Sequence, residues 1–255
     1  MALDLTPHAA RLLATLAMTA LTNFAFAAEI SVMSVGAVKS AFTDAVASWE
    51  KATGNKVVAT FNPAGDVRRK LAAGEGGDVL VLPAEAMAIQ EREGKVAPAR
   101  MLGVVAMAAA VKKGAPMPDI STAEALKKTL LSAKSVTYMD PEKGTSGKYF
   151  DEKVLPKLGV RDEVRAKAIL GDGGYIADKV ARGEAEIAFH QLTEILPVPG
   201  VTVVGTLPAE FGANTTYSAA VFKNAKQPKE AQALVDYLAS PEGRKFFLDR
   251  GFTAP

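Results

Sequence analysis

The sequence predicts an α/β protein built as two doubly wound lobes. Short β-prone runs alternate with segments of helical periodicity, the alternation restarts beyond the middle of the chain, and two more helical segments close it.

Residues 29–34 form the first β-prone run, and Val35-Gly36-Ala37 leads into residues 38–53, where Val38, Phe42, Val46 and Trp49 recur at helical spacing. Gly54-Asn55 ends that helix. A second strand over 56–61, a turn over 62–66 and a helix over 67–73 ended by Gly74 follow. Residues 78–82 are apolar enough for a strand buried on both faces. The pattern resumes with a strand over 135–139, a turn-rich loop over 140–147, a helix over 148–158, a helix over 175–182 and a strand over 185–189. The closing helices, 229–238 and the one opened by Ser240-Pro241-Glu242, are expected to return to the first lobe. The expected division is 28–84 with 206–255 for the first lobe and 85–205 for the second, with crossings near 83–86 and 196–208.

Residues 1–27 read as an export leader. Arg11 precedes the apolar stretch 12–21, and Ala25-Phe26-Ala27 is the small-x-small pattern of a cleavage site, so the mature chain is expected to begin at Ala28 in the periplasm. The apolar stretch is shorter than the roughly 20 residues that span a bilayer, so no membrane insertion is expected after cleavage. Formal charge is +2 and stays there after cleavage, because Asp4 and Arg11 leave together.

Composition narrows the chemistry. Lys and Arg are interspersed with Asp and Glu, which gives no footprint for nucleic acid. The chain has no cysteine and two histidines, His8 and His190, which excludes thiolate centres, disulfides and multi-histidine metal sites. No cofactor motif is present: Gly144-Thr145-Ser146-Gly147 lacks the spacing of a nucleotide phosphate loop, and Lys148 stands in the wrong place for its lysine. A monomer is the default expectation.

In open α/β sheets ligands bind beyond the carboxyl ends of the strands, where the following helix presents free N–H groups. Four loops fit: 34–37, 62–66, 144–147 and 190–193. Gly36, Ala37, Ala64 and Gly65 allow close approach, and Ser34, Thr145, Ser146 and Gln191 add donors. Each hydroxyl also has a simpler use as a helix cap; four such loops on one cleft point to a small anion. Lys39 and Arg68 are the candidate carboxylate clamps. His190, at the end of a buried strand, is the candidate acid or base, its alternative role being that of a hydrogen-bonded histidine at a strand end. Asp66, Asp140 and Glu194 border the same loops.

Taken in order, Ser34 to Ala37, Phe61 to Gly65, Ala73-Gly74, Gly77-Asp78-Val79, Asp140-Pro141 with Gly144, and Tyr237-Leu238-Ala239-Ser240-Pro241-Glu242 with Gly251-Phe252 resemble the molybdate-binding-protein-like group of periplasmic solute-binding proteins. The resemblance implies a type II periplasmic binding fold that traps its ligand by lobe closure. Where molybdate binders of that group carry serines in the first two loops and a later tyrosine, this chain has Ala37, Pro63-Ala64-Gly65 and His190, which leaves room for a larger anion. Pro118-Asp119-Ile120-Ser121-Thr122 and Ile195-Leu196-Pro197-Val198-Pro199-Gly200 are similar to the aconitate isomerase branch of the group. Two main functions follow from the resemblance: a receptor that delivers a di- or tricarboxylate to an ABC permease, or an isomerase of aconitate on the same scaffold with His190 as acid or base. Binding of molybdate or another oxyanion is the third.

Overall fold

The computed structural model describes residues 28–254; the expected leader lies outside them. Strand β1 (Glu29–Val35) is followed by one 3₁₀ turn (Gly36–Val38) and helix α1 (Lys39–Thr53), whose buried stripe is Ala41, Phe42, Ala45, Val46 and Trp49. Gly54, at φ 76°, closes α1 in the left-handed region that a glycine enters without a Cβ penalty. Then come β2 (Lys56–Asn62), α2 (Ala64–Ala72), β3 (Val79–Pro83) and α3 (Ala84–Arg92). Helix α2 begins three residues earlier than the periodicity predicts, directly after Pro63 at its N-cap. All five residues of β3 are buried, as expected of a central strand.

Strand β4 (Arg100–Lys112) is the longest and links the lobes. Its first half pairs antiparallel with β8 (Asn214–Val221), and its second half pairs with β6 (Ile187–Gln191) and β7 (Val201–Thr206). The strand order is β2-β1-β3-β8-β4-β6-β5, where β5 is Val136–Tyr138 and β7 also flanks β4. One hydrophobic core takes residues from Ile30 to Val105 and from Tyr217 to Phe252, while the cores of the other lobe draw on residues between Met107 and Phe211. The change from one core to the other falls inside β4 and just before Tyr217. Helix α3, at 84–92, buries Met87 in the first of these cores.

The second lobe adds α4 (Ala123–Ser132), capped by Thr122, and then α5 (Thr145–Tyr149), a π turn (Phe150–Val154) and α6 (Leu155–Leu158). The wide turn precedes Pro156, which has no N–H to continue the α ladder. Helices α7 (Arg161–Arg165), α8 (Asp178–Ala181) and α9 (Leu192–Ile195) are single turns, so the helix expected over 175–182 shrinks to four residues. Buried Asp151 ties this lobe together by accepting from Tyr138, Arg161 and Arg165. In the first lobe buried Asp78 accepts from Ser31 N at 2.8 Å, Ser31 Oγ at 2.6 Å, Lys226 N at 2.7 Å and Gln227 N at 2.9 Å. That carboxylate fastens α10 (Pro228–Ala239) to the sheet; α11 (Pro241–Leu248), capped by Ser240, then packs on α1. No helix among the described residues is long and apolar enough to cross a membrane.

Candidate functional site

The carboxyl ends of β1, β2 and β6 and the start of α5 converge on a small cavity of about 40 Å³. Gly36, Ala37, Ala64, Thr145, Ser146, His190 and Gln191 all line it. Ser34 is fully buried behind that wall, its Oγ unpartnered. Gly65 and Arg68 line a wider, solvent-open chamber next to the cavity. Lys39 lines neither; it is exposed, with Nζ 6.0 Å from the centroid of Phe61, because the first turn of α1 directs it along the outside of β2.

Sequence reasoning had given the glycines to the ligand, and the structure gives them protein neighbours. A Cβ on Gly36 would stand 2.6 Å from Glu194 Oε1, and one on Gly65 would stand 2.7 Å and 2.8 Å from the carbonyl oxygens of Glu142 and Lys143. Gly65 N donates to Lys143 O at 2.8 Å, so these small residues allow the lobes to meet backbone to backbone. Gly144 and Gly147 likewise seat the 144–147 loop against Met139.

Two further residues line the cavity: Glu194, which the sequence placed only at the border of the loops, and Tyr217, which it did not single out. Glu194, at the start of α9, stands one short turn beyond His190, and its Oε2 is 3.2 Å from His190 Nδ1. The signal for it was the four-residue spacing across a strand-to-helix junction. Tyr217 reaches the cavity from β8, opposite Pro83, and nothing local in the sequence marks it.

The electrostatics of this pair come from burial. His190 is 2% exposed and Glu194 is 9% exposed. Burial pushes the imidazole down to about 4 against a weaker opposing effect from the Gln191 backbone, and it pushes the Glu194 carboxyl up to about 8. At neutral pH the imidazole is therefore free to accept a proton and the adjacent carboxyl holds one. Burial first, and the nearby Glu194 second, raise the Tyr217 hydroxyl well above its ordinary value, so it remains a donor. Gln191 Nε2 donates to Thr215 Oγ1 at 2.9 Å, leaving its Oε1 buried without a partner; His190 Nδ1 is also without an aligned hydrogen bond. Unpaired buried atoms of this kind are costly in a finished core and mark a place where a ligand group can complete the set. The cavity thus brings together two buried ionisable groups 3.2 Å apart and polar atoms without partners.

Comparison with known proteins agrees with this architecture. The chain is 35% identical over 229 residues to an aconitate isomerase of a Pseudomonas species, an alignment covering 87% of this chain and 86% of that protein. It is 26% identical over 250 residues to the molybdate-binding protein of Azotobacter vinelandii, covering 95% and 96% of the two chains. The solved Azotobacter vinelandii periplasmic molybdate-binding protein superposes with a TM-score of 0.75 at 16% identity, over 89% of this chain and 99% of that one, which establishes the periplasmic binding-protein fold. The model of the bacterial extracellular solute-binding proteins matches residues 30–253, and the chain belongs to that family.

Proposed function

We propose that the protein closes around an unsaturated tricarboxylate of the aconitate type and interconverts its trans and cis forms by proton transfer. The observation that carries this reading is the buried pair facing the cavity, a proton-free His190 beside a protonated Glu194. Two neighbouring groups whose environments drive their pKa values apart are the usual equipment of an acid and a base. His190 takes a proton from the carbon next to the double bond, Glu194 returns one to the far alkene carbon, and the double bond moves across the three-carbon frame. The proton on His190 then crosses the 3.2 Å gap to Glu194 and resets the pair. No oxidant or reductant enters the balance. Negative charge spread over the carboxylates in between is met by the Tyr217 hydroxyl and by the Ala64 N–H at the start of α2. The 35% identity to an aconitate isomerase supports the same reading.

A transport receptor that holds a small carboxylate for an ABC-type permease is the second reading, supported by the two-lobed architecture and the molybdate-binding relative. Binding of a bare oxyanion is the third. Export to the periplasm belongs to all three.

The test is to incubate the purified protein with trans-aconitate and follow cis-aconitate by chromatography, with di- and tricarboxylates and molybdate run in a thermal-shift assay. Turnover that disappears in His190→Ala is the expected result. A stabilising ligand with no turnover would replace the isomerase with the receptor and would name its cargo.

A further inference from the structure

The lining of the inner cavity contains no Lys or Arg, only the His190–Glu194 pair among ionisable acids and bases apart from Tyr217. A fully ionised tricarboxylate has more charge than such a wall can balance. The cations lie one step outward. The adjoining chamber, about 340 Å³, shares Ala64, Pro83, Gly144 and Thr145 with the smaller cavity, so a ligand can extend from one into the other. Three cations line it: Arg68 from α2 on the first lobe, and Lys143 and Lys148 from the 140–148 region of the second.

Resting on the tricarboxylate reading, we infer that Arg68, Lys143 and Lys148 form a subsite for the carboxylate of the carboxymethyl arm, the arm whose CH2 gives up its proton, and that this subsite selects tricarboxylates over dicarboxylates. The chamber also holds two acids, Glu85 and Glu142, so its balance is cationic by one charge. Among the described residues the three cations make no ion pair, whereas neighbouring Arg69 is engaged by Asp66. Their charge is thus available to a ligand, and an Arg–carboxylate contact adds directionality to it. Because the cations come from both lobes, the Gly65–Lys143 closure contact assembles the subsite.

The experiment compares Arg68→Gln, Lys143→Gln and Lys148→Gln with the parent protein, using trans-aconitate and mesaconate, in which a methyl replaces the carboxymethyl arm. Dissociation constants come from calorimetry and KM from the turnover assay. Lys39→Gln serves as the control for general surface charge, since Lys39 lines neither chamber. Each of the three variants is expected to weaken trans-aconitate about three- to tenfold and mesaconate less than about twofold, as befits charge-assisted contacts in a partly hydrated site. Lys39→Gln is expected to match the parent. A parent that binds or turns over trans-aconitate while all three variants match it would overturn the subsite and leave the tricarboxylate reading standing. Equal losses in Lys39→Gln, or equal losses for both ligands, would also overturn it. A parent that neither binds nor turns over trans-aconitate would sink the reading and the subsite together.

Discussion

Replacing Glu194 by Gln removes one titrating proton from the site while keeping the shape of the side chain, and its consequence for stability can be worked out in sign and size. The Glu194 carboxyl, with an ordinary value of 4.5, is raised to about 8 by burial. Between those values the folded state holds a proton that the unfolded state has released, so stability falls as pH rises through that window. His190 has the opposite effect: an ordinary value of 6.5 is lowered to about 4, so below 6.5 the unfolded state takes up a proton that the folded state refuses, and stability falls on acidification. From pH 4.5 to 6.5 the two slopes cancel. Above 6.5 only Glu194 is left, and at 1.36 kcal/mol per pH unit the protein loses about 2 kcal/mol by pH 8. In Glu194→Gln the decline above 6.5 disappears, and a loss on acidification below 6.5 is uncovered. Urea unfolding at a series of pH values, followed by circular dichroism, measures both limbs. A variant that keeps the full alkaline decline of the parent would show that Glu194 is ionised in the folded protein, and the acid–base assignment would fall with it.

Two further substitutions probe closure and the scaffold separately. Gly65→Ala should leave the fold intact, because the position has ordinary helical backbone geometry, yet its methyl meets the carbonyls of Glu142 and Lys143, a contact expected to be relieved when the lobes part. An overpacking cost of 1 to 3 kcal/mol confined to the closed state predicts ligand affinity about tenfold lower with an unchanged melting temperature of the free protein, read by calorimetry and thermal shift. Asp78→Ala strands the N–H groups of Ser31, Lys226 and Gln227 and should cost about 3 to 5 kcal/mol by denaturant unfolding. Burial works to raise this carboxyl, but hydrogen bonds from Ser31, Gln227 and Lys226 outweigh it and hold it below its ordinary 3.8. The stabilisation is therefore present at neutral pH and is lost in acid as pH falls through that lowered value.

Much of the fold was legible in the sequence because it rests on local periodicity. The stripe of Phe42, Val46 and Trp49 specifies α1, the apolar run at 79–82 specifies a central strand, and Ser240-Pro241 specifies the last helix start. Strand β4 was not legible: its run of alanines around Ala106 to Ala110 has weak strand preference, and only pairing with β6, β7 and β8 makes it the beam between lobes.

The candidate site divides along the same line. Loops at strand ends are places a one-dimensional pattern can mark, which is why Gly36, Ala64, Thr145, Ser146, His190 and Gln191 were found and do line the cavity. Which side chain turns inward is settled by packing. Lys39 goes outward over Phe61, Tyr217 comes in from a distant strand, and Gly36 is small because Glu194 needs its space. The proton arrangement of His190 and Glu194 is likewise a property of depth, since burial is the main cause that separates their pKa values, and depth is set by the tertiary packing around them.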